Sequence, residues 1–315
     1  MRYISDLKDG MRMQDVYLCK QKTLATTKNG KDYYNVVLQD RTGTMDCKIW
    51  DINSPGIAEF EVLDYVYAAG MVSIYNGAYQ CTLKQVRVAY EGEYIPADYV
   101  PVTEKNSTLM FQELIKLKDS VKNKHLRALL DSFFANEAFA KAFKGHSAAK
   151  TVHHGFVGGL LEHTLSVTKM CDYYSRCYPA LNRDLLITVA MLHDIGKVKE
   201  LSQFPKNDYT DEGQMLGHIM MGAEMVHDHC IRIEGFPAVL ENEVKHCILA
   251  HHGEYEFGSP KKPAIMEAVA LNMADNTDAK MEALTEIFKN NGTAENWIGY
   301  NKWFESNLRR TEIIE

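Results

Sequence analysis

The hydrophobic period of this chain changes once, near residue 108, and that change fixes what the chain can fold into. Before it, apolar and β-branched residues alternate in short runs, as in MQDVYLCKQKTLATT and VLDYVYAAGMVSIY. Turn signals separate the runs: NGKD at 29–32, DRTG at 40–43 and Asn76-Gly77, the last a strong hairpin dipeptide. From Thr108 onward apolar residues recur at three- and four-residue spacing, beginning with TLMFQELIKLKDSVKNKHLRALLDSFF. Helical patterns follow at 160–178, 184–193, 214–232, 237–250, 261–289 and 294–308. Between the two regimes lies IPADYVPVTEKNS, 95–107, which breaks both periods and reads as a linker. At 315 residues the chain exceeds one comfortable core, so the two regimes read as two domains.

The first regime, with about five strands in roughly ninety residues, suits a small OB-like β-barrel. The expectation is an α+β two-domain protein: a barrel at 1–95, a linker with leading helices at 96–150, and an all-α domain at 151–315. Net charge is −7, which excludes a strongly basic coat but not a local nucleic-acid groove. Seven cysteines occur without a C-x-x-C pair, the pattern of free thiols in a reducing compartment. MRYISDLKDG has no apolar signal core and no 18-residue apolar run occurs, so a cytoplasmic protein with no membrane partner is expected.

All twelve histidines lie at or beyond His125. Several stand inside apolar surroundings, where an ionisable group costs several kcal/mol unless something satisfies it. HHGFVGGLLEHTLSV carries His153, His154 and His163; MLHDIGKVKE carries His193, Asp194 and Lys197; GHIMMG carries His218. ILAHHGEYEF brings His251 and His252, and ALNMADNTDA brings Asp275 and Asp278. Imidazole and carboxylate are ligands for divalent cations, and a cation would resolve the burial problem. Adjacent helical positions point about 100° apart, so His193 and Asp194 meet one ion only where a helix end or a tilt permits. Otherwise they face two ions with the carboxylate between them. Asp278, one turn beyond Asp275, reads as helix-surface charge, and Gly196-Lys197 lacks the rest of a P-loop.

His163, His193-Asp194 and Asp275 match the H…HD…D signature, and this region, roughly 150–290, resembles the HD-domain metal-dependent phosphohydrolases. GGLLEHTLSV and ALNMADNTDA are similar to that family's first and last motifs, and His218 with His251-His252 resembles the extra histidines of its two-metal branch. With a barrel in front, the whole chain resembles the YhaM-type 3′→5′ exoribonucleases. The resemblance implies that His163, His193, Asp194 and Asp275 hold a first metal, with Asp194 bridging. His218 and His251 then complete a second site, and His252 is a further ligand or a phosphate contact. It implies two divalent ions, manganese favoured over iron, cobalt or magnesium, and hydrolysis by a metal-activated water. Lys197, four residues after His193, and His154 are the candidate phosphate contacts.

An OB-like barrel binds single strands by stacking bases on aromatics beside positive charge. Tyr33, Tyr34, Trp50, Tyr75 and Tyr79 are the candidate platforms, with Lys20, Lys22, Lys28, Lys31 and Lys84 for phosphates. Trp297, Tyr300 and Trp303 in WIGYNKWFESNLRR either touch RNA or, the favoured reading, pack. The expected partner is single-stranded RNA, with single-stranded DNA as a second substrate, and exposed barrel edges and a helical face invite homo-oligomers. Two alternatives stand beside this: a phosphohydrolase of dNTPs or cyclic dinucleotides, and a nucleic-acid-binding protein without catalysis.

Overall fold

The structure is a computed structural model that describes residues 2–150, 154–290 and 296–312. It divides into two compact units, one reaching to Val102 together with Gln203–Asn207, the other comprising Thr103–Ser202 and the chain from Asp208 onward. No helix among the described residues is long and apolar enough to cross a membrane.

The first unit is a closed barrel of β1 (Arg12–Thr26), β2 (Asp32–Asp40), β3 (Gly43–Ile49), β4 (Tyr65–Tyr75) and β5 (Ala78–Val88). The order around it is β1-β2-β3-β5-β4, with β3 and β5 parallel and β1 closing on β4 antiparallel, the topology of an OB-like barrel. Each predicted turn falls between strands. Asn76 and Gly77 both take positive φ (49° and 81°) in the β4–β5 hairpin, the geometry that a two-residue turn of this hand requires. Alternate residues fill the interior, including Met13, Tyr17, Val36, Leu38, Val66 and Leu83.

The second unit holds α1 (Ser107–Asp119), α2 (Lys124–Phe134), α3 (Glu137–Gly145), α4 (Gly159–Cys177), α5 (Arg183–Leu192) and α6 (Lys197–Glu200). It continues with α7 (Asp211–Cys230), α8 (Ala238–Ala250), α9 (Met266–Asn290) and a hairpin of β6 (Trp297–Asn301) and β7 (Ser306–Arg309). Asn106, Asn123, Asn136, Asn182 and Thr210 cap α1, α2, α3, α5 and α7 by accepting from first-turn N–H groups, which explains the sharp starts. The helices α1–α3 share one apolar core with α4, α5, α7, α8 and α9. At its centre α5 is buried from Leu185 to Leu192, and each such Leu, Ile or Val contributes about 1.5–3 kcal/mol of burial.

The helix expected over 294–308 is replaced by the β6–β7 hairpin, with 294 and 295 outside the described residues. Gly299 sits at φ 104°, outside helical space, and the Asn301 side chain accepts from the N–H groups of Trp303 and Phe304. That local bond folds the chain into a turn where spacing alone suggested a helix.

Candidate metal centre

The polar residues of the helical unit converge where α4, α5, α7, α8 and α9 meet. His163 comes from α4, His193 and Asp194 follow the last turn of α5, and His218 lies on α7. His251 and His252 follow α8, while Asp275 and Asp278 lie on α9. Two glycines make the approach possible. A Cβ on Gly196 would lie 2.0 Å from the His218 carbonyl, so the chain after Asp194 can press against the backbone of α7 only without a side chain. Gly217 (φ 72°, ψ 157°) breaks the helical geometry of α7 one residue before His218.

Ring orientation is fixed from behind. The Nδ1 of His193 donates to the Ala190 carbonyl (2.8 Å), that of His251 to Ile248 (2.6 Å) and that of His252 to Phe257 (2.8 Å). His163 and His218 donate Nδ1–H to carboxylates instead, Asp278 (2.7 Å) and Glu200 (3.0 Å). With Nδ1 carrying the proton, each Nε2 presents a lone pair, the arrangement typical of metal-binding histidines. Burial lowers the His193 and His252 pKa values to about 4, so both rings are neutral at pH 7.

The Nε2 atoms then gather around one carboxylate. His163 Nε2 and His193 Nε2 each lie 3.4 Å from Asp194 Oδ2 and 3.2 Å from each other, and Asp275 Oδ1 is 3.2 Å from His163. On the other side His218 Nε2 and His251 Nε2 lie 3.5 and 3.6 Å from Asp194 Oδ1. Asp194 Oδ1 and both of those Nε2 atoms are buried without a hydrogen-bond partner among the described residues. Two imidazole lone pairs at 3.2 Å repel unless a proton or a cation lies between them. Burial opposes charge on His163, yet Asp194, Asp275 and Asp278 push its pKa well above the ordinary value. A divalent cation at Nε2 would take the place of such a proton. Burial likewise opposes ionisation of Asp194, but the Lys197 ammonium and the surrounding histidines hold its carboxyl well below the usual range.

The ligand-type atoms of His163, His193 and Asp275 lie within 4.8 Å of one another, as do those of His218, His251 and His252. Two such sets, sharing Asp194 by its two oxygens, fit a pair of divalent cations. A third set, His154, His163 and Asp278, is equally close, but its atoms are already paired: His154 Nε2 is 3.0 Å from Asp278 Oδ2.

The structure also places residues that periodicity left open. Lys197 donates to Asp194 Oδ2 at 2.6 Å, three residues away, while bordering the same cavity as His154. Asp278, read as surface charge, instead joins His154 to His163, and burial of Asp278 is outweighed by those two histidines, which hold it well below the carboxylate range. Its i,i+3 spacing from Asp275 was the available signal. Glu200 went unrecognised because it stands in a charged stretch, KVKELSQ; Asn272, which donates to the His251 carbonyl (2.7 Å), stands in the apolar run AVALNMA and was passed over beside Asp275. His153 lies outside the described residues.

In the barrel unit, Tyr33 stacks on Trp50 with centroids 4.7 Å apart, and Lys48 lies 5.9 Å over Tyr33. Tyr75 and Tyr79 are exposed on the β4–β5 hairpin. Tyr34 packs against the barrel core, and Lys22 donates to the Phe60 carbonyl (2.6 Å) while covering the Tyr34 and Phe60 rings. Lys20, Lys28, Lys31 and Lys84 are exposed, Lys31 within 3.8 Å of Asp51.

A helical scaffold carrying H…HD…D around a shared carboxylate defines the HD-domain class, and the HD domain family model matches residues 160–280. Curated relatives cover far more of the chain. The 3′-5′ exoribonuclease YhaM of Listeria monocytogenes is 32% identical over 287 residues, 90% of this chain and 90% of its own. The YhaM proteins of Geobacillus sp. strain WCH70 (32%; 86% of this chain, 83% of theirs) and Bacillus velezensis (34%; 86% of each) match similarly. The chain belongs to the YhaM family of 3′-5′ exoribonucleases. Among solved structures, the second OB-fold domain of replication protein A from Methanococcus maripaludis aligns over 30% of this chain and 97% of its own, with 15% identity and a TM-score of 0.24.

Proposed function

We propose that this chain is a metal-dependent exoribonuclease that removes nucleotides from the 3′ end of single-stranded RNA. The observation that carries the chemistry is Asp194, whose two oxygens face two separate sets of histidine Nε2 atoms. His163, His193, Asp275 and Asp194 Oδ2 would hold one divalent cation; Asp194 Oδ1, His218, His251 and His252 would hold the other. Bound there, such a pair supplies an activated water and charge stabilisation for in-line phosphoryl displacement. The protein's own part is to keep that floor pre-organised. Carbonyls and carboxylates lock the rings, Lys197 keeps Asp194 ionised and borders the cavity as a positive charge for phosphate, and His154, in the lining of the same cavity, is the candidate phosphate contact. The mixed imidazole and carboxylate set suits manganese or iron better than magnesium.

The barrel supports a single-strand substrate through its Tyr33–Trp50 stack and exposed Tyr75 and Tyr79, platforms that would accept single-stranded DNA as well. Exposed Met266, Met273 and Met281 along α9 support self-association. RNA decay and a set of free cysteines fit a cytoplasmic enzyme. The test is metal-stripped protein incubated with end-labelled single-stranded RNA before and after manganese addition. Stepwise 3′ shortening that requires the metal is expected; equal cleavage of circular RNA, or dNTP hydrolysis without RNA turnover, would overturn the reading.

A further inference from the structure

We propose that Phe257 and Trp303 form an aromatic slot that holds the base of the 3′-terminal nucleotide while its phosphate lies on the metal centre. The proposal deepens the exoribonuclease reading and rests on it. A cavity of about 490 Å³ opens onto the centre, with His163, Asp275, Lys197 and His252 in its lining. That volume lies in the range of small-ligand sites. The same cavity is lined by Phe257 and Trp303, large rings left 65% and 51% exposed beside a buried ionic floor. Exposed aromatics at a concave polar site are unfavourable in water alone and suit a ligand with one ionic end and one flat apolar end. A nucleotide is such a ligand.

Both rings stand on fixed backbone. Phe257 ends a 3-10 turn, Tyr255–Phe257, that Gly258 closes at φ 86°. Its carbonyl accepts the Nδ1–H of His252, so one residue both orients a candidate ligand and lends its ring to the cavity. Trp303 lies in the β6–β7 turn, where the Asn301 side chain accepts from its N–H at 3.0 Å and the Phe304 ring meets it edge-on at 4.8 Å. Lys280 and Asn276 of α9 also line the cavity and offer donors to phosphate and ribose oxygens. Stacking tolerates every base, as a trimming enzyme requires, since each newly exposed 3′ nucleotide must be accepted in turn.

The experiment uses the full chain loaded with manganese and three RNAs: an intact strand, the same strand with an abasic 3′-terminal ribose, and one abasic at the penultimate position. The wild type should remove the intact terminus about 5- to 100-fold more efficiently than the abasic one, the worth of one base–aromatic stack. Trp303→Leu and Phe257→Leu should each shrink that preference, while Trp303→Phe keeps most of it and bound-metal content stays the same in all three. Equal trimming of intact and abasic ends by the wild type, an undiminished preference in Trp303→Leu, or a preference that tracks the penultimate base would each overturn the slot. Competitive binding of AMP against ribose 5-phosphate reads the slot without turnover. If no RNA is trimmed yet Trp303→Leu erases a preference for AMP, the exoribonuclease reading fails and the slot stands.

Discussion

The two units treat their candidate functional residues in opposite ways. In the helical unit the ionisable groups are buried and held from behind, with five imidazole Nδ1 atoms committed to backbone or carboxylate oxygens. In the barrel most of the candidate contacts, Tyr34 and Lys22 excepted, lie at the surface, with Tyr33 stacked on Trp50 and Lys31 near Asp51. Burial makes the first arrangement specific, because a misplaced charge there costs several kcal/mol. Exposure makes the second tolerant, because a surface tyrosine or lysine costs almost nothing wherever it stands. On the proposed reading, the chemistry belongs to a fixed geometry and strand capture to a forgiving one.

The comparison breaks first at Asp194. Asp194→Asn should lower kcat at least about 10²–10³-fold, the scale of losing one charge-stabilising group at a reacting centre. Elemental analysis should find fewer than two ions per chain, with the helical circular-dichroism signal retained. Two ions and undiminished turnover in this variant would show that the carboxylate is not the shared element.

Glu200→Gln comes next and separates the two halves of the centre. It removes the carboxylate behind His218 and should weaken metal binding at that half about 10–100-fold. Asp278→Asn should do the same for the half containing His163. Chelator-competition titrations of the two variants measure this. An identical loss of both ions in each variant would mean the halves do not load independently.

Much of this centre was legible in the sequence because burial is informative: His163, His193 and Asp194 stand out in apolar helices, where a polar residue needs a reason. Glu200 gave no such signal. It sits in KVKELSQ, an ordinary charged stretch, and reaches His218 where Gly196, against the His218 backbone, and Gly213, against the Glu200 backbone, let the two chain segments touch. The barrel was legible as a fold, through its turns and alternation, but not as a surface. Period two separates inside from outside, yet Tyr33 and Tyr34 are neighbours, and only the structure shows one stacked on Trp50 and the other against the core. The hairpin at 297–309 was lost to a helical reading because Gly299 and the Asn301 turn are local effects that apolar spacing does not register.

A smaller effect is expected from the barrel. Trp50→Ala should raise the KM for single-stranded RNA about 5- to 100-fold and leave kcat and metal content unchanged, since it removes a stacking surface and no buried charge. Steady-state kinetics with RNAs of increasing length measure it. A fall in kcat with KM constant would instead place the barrel's aromatics in the chemical step.

The smallest effect tests whether a depressed carboxylate by itself marks function. Asp172 lies on α4, the helix that carries His163, and burial of its carboxyl is outweighed by Arg176 and Arg183, so its pKa is lowered as that of Asp278 is. It belongs to no ligand set among the described residues, and its bond to Arg183 joins α4 to the start of α5. Because the folded pKa lies below the unfolded one, its contribution is fully present above the unfolded value, about 3.9, and is lost as pH falls through the lower folded value. Asp172→Asn should therefore lower stability at pH 7 by about 1 kcal/mol, a figure discounted because the Arg176 side chain is 71% exposed. In thermal melts of the helical unit that is about 2–4 °C in Tm, a gap that narrows in acid below about pH 4. Metal content and RNA turnover should not change. A loss of activity without a loss of Tm would place Asp172 with Asp278 among the residues that position the centre, and the depressed carboxylate would then be a mark of function in this fold.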